Sequence, residues 1–466
     1  MLGDRVTQRL RPGIDDPYLL SILAVTTVFC GFWLWYTVPN FATADEYSRL
    51  IRPMKVAGYT LADPGFSSLQ RGVLDGRALG ASTYLYLLVF GPVGLYVLLS
   101  GQLGTFASFS GLQSRWDLWF AVPDWFWTAS ILTARLTVVA FAVGCTYVLY
   151  RLGCHLGDRT TGRLAAVFLG LSLGFISTAH EAGEDIPALF AFLLAFLFLF
   201  RYLDRGDRRP LWIASAVGGI AIALKLTAGV IVFVIGAAVL ARAREGAHTR
   251  RETLAHSAGG VLIGAVVIYL GFPSALVGGP DELIARVTAA GGQKAAAQNG
   301  DPIWVWMLQK YVEGIGIPLV VAVVAGTALT LTEMPDRLRA GEYKSALLVV
   351  ALAVYLLVFS RWGYIRVHHL LPTLPLLYLL TAETLSDRLS WPDYNLATAA
   401  VAVLVVSTAL FAGVGTAAYT AEPRDQAAAW LDENAESDAT VEVYEQSIAD
   451  VGMPHHLNVS RYDYNE

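Results

Sequence analysis

Charge is what this chain of 466 residues has least of: Asp, Glu, Lys and Arg make up 15% of it, against 55% hydrophobic residues. A soluble protein of this length needs a more charged surface, so that class is excluded. Cysteine is scarce as well. Cys30, Cys145 and Cys154 lie within or beside apolar stretches, which argues against a disulfide framework. A formal net charge of −5 leaves no basic surplus for binding nucleic acid. No internal repeat of the kind found in many transporters is visible. What the chain does have is long uncharged runs. Residues 18–39 and 394–418 contain no Asp, Glu, Lys or Arg, and each is long enough to cross a bilayer as a helix. Arg5, Arg9 and Arg11 precede the first run, which exceeds the apolar core of a signal peptide, so it reads as an uncleaved first span.

The pattern predicts an all-α polytopic membrane protein of about 11 transmembrane helices. The expected spans are 18–39, 128–150, 162–179, 186–203, 211–225, 227–241, 257–274, 315–332, 346–360, 366–383 and 394–418. Between them lie two kinds of connection. Short loops carry Arg151/Arg159/Arg163, Arg201/Arg205/Arg208/Arg209, Arg242/Arg244/Arg250/Arg251 and Arg337/Arg339/Lys344. Residues 40–127, His180–Asp185, 276–314 and 420–466 are longer or acidic. Short basic loops stay in the cytoplasm. With a cytoplasmic N-terminus, alternation puts every basic loop inside and every acidic segment outside, in the plasma membrane. The segment 81–100 is long enough to span, but counting it would invert all later loops, and Gly91-Pro92 breaks it. It reads as an interfacial or re-entrant element of a large outer loop, 40–127, with a real span as the alternative. The expected division is a transmembrane module, 1–420, and a small acidic outer tail, 421–466, with a helix over Arg424–Asn434 and a strand over Ala439–Tyr444. Asn458-Val459-Ser460 is a glycosylation sequon on that side.

Ionisable residues at membrane borders are expensive and are usually functional. Four turns bring them to the outer level: Asp45 and Glu46; His180, Glu181, Glu184 and Asp185; Lys225; and Arg361, Arg366, His368 and His369. Each has a plainer reading. The first pair can be solvated loop, the second group a polar hairpin, and the arginines interface anchors beside Trp362 and Tyr364. The late histidines can be packing residues, and Trp125, Phe126 and Trp127 an aromatic belt. Lys225 can snorkel, yet it is the only charge between Leu211 and Leu240. Together the groups suit one chemistry. A carboxylate takes a proton from an acceptor hydroxyl, and cations hold a departing phosphate as charge builds on it. Asp45, Asp185 and His180 also permit a divalent ion. Outside the cytoplasm there are no nucleotide sugars, so a transferase there needs a donor delivered on a lipid phosphate.

The chain resembles the integral-membrane glycosyltransferases of the GT-C superfamily, in the branch of protein O-mannosyltransferases and the aminoarabinose transferase of lipid A. The resemblance rests on TADEYSRL around Asp45-Glu46, on ARLTVVAFAVGCTYVLYRLG from Ala134 with the GDRTTGR that follows, on HEAGEDIPAL from His180, on AIALKLTAGV around Lys225, and on YIRVHHLLPTLP from Tyr364. It implies a GT-C-like fold with juxtamembrane helices in the first outer loop. It makes Asp45 the catalytic carboxylate, with Glu46 in support. Lys225, Arg361, Arg366, His368 and His369 would contact the donor phosphate, and His180, Glu181, Glu184 and Asp185 would line the sugar or acceptor pocket. The family's His/Lys-Pro-Pro element is missing at Leu79–Tyr86, and Arg often stands where His180 or Glu181 does. The acidic outer segments look like those of halophilic archaeal members. The implied reaction moves a mannose-like hexose from a dolichyl or polyprenyl phosphate to a glycoprotein or glycolipid acceptor. A transporter for a lipid-linked or anionic solute and a non-catalytic scaffold are the rival readings.

Overall fold

The computed structural model describes residues 16–75, 80–110, 115–246, 248–296, 302–389, 394–421, 423–445 and 447–462. Arg5, Arg9, Arg11 and Leu79 lie outside them. The structure is a multi-pass helical membrane protein. Helices occur in every expected span, in this order: α1 Pro17–Gly31, α2 Ala44–Ala62, α3 Phe66–Asp75, α4 Ser82–Val89, α5 Gly91–Leu99, α6 Leu103–Ala107, α7 Arg115–Ala121, α8 Asp124–Leu156, α9 Arg159–Gly170, α10 Leu173–Ala179, α11 Asp185–Arg205 and α12 Arg208–Leu224. There follow α13 Ile231–Arg244, α14 Arg250–Leu270, α15 Pro273–Gly278, α16 Pro280–Ala296, α17 Ile303–Arg339, α18 Tyr343–Phe359, α19 Val367–Leu370, α20 Leu374–Leu389, α21 Tyr394–Ala417 and α22 Pro423–Asn434. Among the described residues six are long and apolar enough to cross a membrane, with α13 counted from Leu226, or eight if each bent pair is one span. That is fewer than eleven, because α1, α12, α18 and α20 are shorter than a full crossing.

Every long helix runs between an acidic end and a basic end of the bundle. At the basic end Asp16 caps α1 and pairs with Arg163 at 3.0 Å, Lys344 meets Asp204 at 2.6 Å, and Arg337 meets Glu383 at 2.6 Å. These ties fasten α1 to α9, α18 to α11, and α17 to α20. The core lies between α8, α9, α11, α13 and α20, whose buried faces are Leu, Phe, Val and Ala. Gly153 and Gly162 let α8 and α9 touch: a Cβ on Gly153 would lie 2.6 Å from the Gly162 Cα. Helix α17 breaks at Gly316, whose φ of 75° suits glycine.

The segment 81–100 forms α4 and α5, bent by 45° at the Gly91-Pro92 break. Tyr84 donates to the Leu270 carbonyl at 3.2 Å, Tyr86 to the Gly183 carbonyl at 2.9 Å, and Tyr96 packs edge-on against Trp125. The segment therefore touches the end of α14, the turn before α11 and the start of α8. Phe126 and Trp127 are fully buried beneath the loop between α1 and α8, with Trp127 Nε1 donating to the Trp119 carbonyl at 3.0 Å. They are core residues; the belt reading applies at most to half-buried Trp125. After α22, parallel strands β1 Thr440–Val443 and β2 Asn458–Arg461 form a two-stranded sheet. Its Val443, with Ile448 and Met453 from the connection, joins the same core as Phe41, Tyr47 and Trp119.

Candidate active site

Asp45 is exposed in the first turn of α2, where the helix dipole favours a carboxylate. The N-cap Thr43 hydroxyl accepts the Glu46 N–H at 3.1 Å. Glu46 points the other way and is fully buried. Its carboxylate accepts Arg135 Nε and Nη2, both at 2.8 Å, the Ala182 N–H at 2.9 Å and the Ala42 N–H at 2.6 Å. Burial alone would raise its pKa; the Arg135 charge and the hydrogen bonds bring it below the ordinary value. With four donors on two oxygens, Glu46 has no room for substrate. It ties α2 to α8 and to the turn before α11, and does not sit beside Asp45 in the site as expected.

The turn of residues 180–185 divides its labour. His180 is fully buried, with Nδ1 2.8 Å from the Ile176 carbonyl and Nε2 2.6 Å from the Phe32 carbonyl. Both nitrogens serve the scaffold, so the expected pocket and metal roles of His180 do not fit. Glu181 accepts the Thr43 hydroxyl at 2.9 Å. Burial, and then the negative charge of Glu46, raise its pKa to about 7. Glu184 is gripped by both arms of Arg49, with Nη2 to Oε1 at 2.6 Å. Burial raises its pKa, but the Arg49 charge and hydrogen bonds outweigh it and hold it at about 2. Asp185 pairs with Lys225, which stands where α12 ends. The Lys225 N–H donates to the Ala221 carbonyl at 2.9 Å, and the Ala81 N–H donates to the Ala223 carbonyl at 2.9 Å beside it.

On the far side, Arg366 is exposed and His368 half-buried. Asp45, Asp185, Lys225 and Arg366 all lie within electrostatic reach of His368, so residues from four turns share one location. His369 is a strut instead: it is buried, accepts the Arg366 backbone N–H at 3.0 Å, and has Lys294 Nζ 2.8 Å from Nε2. Arg361 is exposed at the end of α18, and no contact found among the described residues joins its side chain to the group. Nor do three His, Cys, Asp or Glu side chains among the described residues converge as metal ligands. With His180 turned away, the set Asp45, Asp185 and His180 does not fit a resident ion.

Three residues escaped the sequence reading. Arg49 lies four residues after Asp45, on the same helix face, and that spacing was a usable signal. Arg135 is a lone charge in an apolar span, which by itself marks a function. Lys294, at the end of α16, sits 4.1 Å from the Tyr364 ring centroid and 4.9 Å from that of Trp362. Nothing in its local sequence indicated this.

Residues 126–270, from α8 to α14, match the family model of dolichyl-phosphate-mannose-protein mannosyltransferases. No curated protein matches the sequence. Among solved structures the chain is similar to ArnT from Cupriavidus metallidurans bound to undecaprenyl phosphate, at 14% identity and TM-score 0.54 over 97% of this chain and 87% of that one. It is also similar to the oligosaccharyltransferase of Archaeoglobus fulgidus in the apo form, at 12% identity and TM-score 0.56 over 96% of this chain and 65% of that one. A third similar structure is AglB from the same organism with an inhibitory peptide and a dolichol-phosphate, at 11% identity and TM-score 0.50 over 90% of this chain and 58% of that one. At these identities the likeness is one of fold. The chain thus shares the fold of these membrane glycosyltransferases, and its segment 126–270 matches the mannosyltransferase family model.

Proposed function

We propose that the protein transfers a hexose, mannose-like, from a dolichyl or polyprenyl phosphate to a surface glycoprotein or glycolipid, by inversion at the anomeric carbon. The observation that carries this reading is an exposed carboxylate, Asp45, at a location shared with Lys225, Arg366 and His368. Asp45 takes the proton of the acceptor hydroxyl while that oxygen bonds to the anomeric carbon. The bond from that carbon to the phosphate oxygen breaks, and the electron pair leaves on the lipid phosphate. Lys225 and Arg366 stabilise the charge that develops there. Asp185 holds Lys225 in place, and Glu181 and Glu184 border the sugar side. The acidic end then faces the exterior, with the basic loops in the cytoplasm and the acidic tail outside, as in a halophilic archaeal member.

Asp45→Asn keeps the size and removes the base. Transfer from a polyprenyl-phosphate hexose to surface glycan should fall by at least about 100-fold at normal protein levels. Activity within a few-fold of the parent would refute the assignment.

A further inference from the structure

Residues 32–43 connect α1 to the helix bearing Asp45, and they hold two non-glycine residues in the left-handed region, Trp33 (φ 57°) and Thr37 (φ 63°). A β-branched residue keeps such a conformation only where its surroundings fix it. Two sets of donors and acceptors do so. From α8, Arg135 Nη1 donates to the carbonyls of Leu34 at 2.6 Å and Tyr36 at 2.8 Å. The second set comes from the last part of the chain. The Thr37 N–H donates to Asp425 Oδ1 at 2.7 Å. Arg424 donates from both Nη1 and Nη2 to the Ala42 carbonyl at 3.1 Å, and from Nη1 to the Ala449 carbonyl. Asn40 Nδ2 donates to the carbonyls of Ile448 at 2.6 Å and Val451 at 2.9 Å. Ala42 immediately precedes the N-cap of α2 and lies three residues before Asp45.

We infer that Arg424 and Asp425 are positioning residues: the acidic tail, which contributes no group to the proposed chemistry, sets where α2 begins and hence where Asp45 stands. Arg424 is built in on both sides. Besides Ala42 and Ala449 it packs against Gly452, where a Cβ would fall 2.1 Å from the Arg424 carbonyl oxygen. Any side chain at 452 would push the Arg424 backbone off this seat.

The catalytic half of this inference rests on the role proposed for Asp45; the structural half does not, and one experiment reads both. The full chain, with a nitroxide at Ala44→Cys, is compared with and without Arg424→Ala. The native cysteines are buried among the helices and leave the label specific. The expected result is a more mobile nitroxide, kcat down by about 100-fold, and the KM for polyprenyl-phosphate hexose unchanged within about twofold. Arg424→Lys should recover part of kcat, since one cation can still reach the Ala42 carbonyl. If Arg424→Ala is not monodisperse, Asp425→Ala, which removes the acceptor for the Thr37 N–H, carries the same comparison, with the same split expected. An immobile nitroxide with unchanged kcat overturns the inference. A mobile nitroxide in a protein where Asp45→Asn remains active keeps the positioning and removes the base.

Discussion

Replacing Arg135 by methionine leaves Glu46 as an unpaired carboxylate inside the protein. Both side chains are fully buried; the guanidinium supplies two of the four donors on the carboxylate and also binds two carbonyls of the turn after α1. Breaking one side of such a pair costs about 3–5 kcal/mol. The isolated carboxylate can escape part of that cost by taking a proton, which gives the effect a sign. In the parent, Glu46 titrates below its ordinary value, so its contribution is present above about pH 4.5 and fades as pH falls through the lowered pKa. In Arg135→Met burial is opposed only by the Ala42 and Ala182 N–H groups, the pKa rises, and stability falls as pH climbs above about 4.5. The Arg135→Met/Glu46→Leu double variant removes both charges and should recover most of the loss. Thermal unfolding of the purified protein, followed by tryptophan fluorescence between about pH 5 and 8, measures all three. A single variant that costs no more than a surface pair, under about 1 kcal/mol, would refute the reasoning, as would a double variant no better than the single one.

Two further outcomes are expected. Glu181 has its pKa raised to about 7, so it changes charge near neutrality; Glu181→Gln should flatten that limb of the pH–rate profile. Because the folded value lies above the ordinary 4.5, the same variant should remove a stability term that is present at low pH and lost as pH rises toward 7, which pH-dependent unfolding detects. Gly153→Val drives a branched side chain into Gly162, where even a Cβ would lie 2.6 Å from the Cα, and should destabilise the α8–α9 hairpin by about 1–3 kcal/mol; an unchanged unfolding temperature would contradict the close contact.

Much of this molecule was legible because a bilayer simplifies the code. Apolar length marks helices and Arg/Lys marks one end, and by that rule 81–100 reads as an interfacial or re-entrant element; its tyrosines reach Leu270, Gly183 and Trp125. The gathering of Asp45, Asp185, Lys225 and His368 followed from the same alternation. What the alternation could not convey is direction. Asp45 and Glu46 are adjacent on a helix, so successive side chains point about 100° apart, and one faces out while the other locks onto Arg135. His180 likewise reads as a ligand by type but spends both nitrogens on carbonyls four and 148 residues away. The aromatic trio misled for a related reason: Phe126 and Trp127 are covered by a loop whose fold depends on long-range contacts. Lys294 depends on a turn some 70 residues further on.

The bonds that close the turn ahead of Asp45 join residues 388 and 411 positions apart. Ribosomes deliver the chain from its N-terminus, and contacts between remote stretches form late. Thr37 and Asn40 therefore emerge early and wait through the insertion of the whole bundle before Asp425 and Val451 arrive. A copy interrupted before that point can seat its helices in lipid and still have an unanchored turn ahead of Asp45. Translation itself thus schedules when the turn ahead of Asp45 is set.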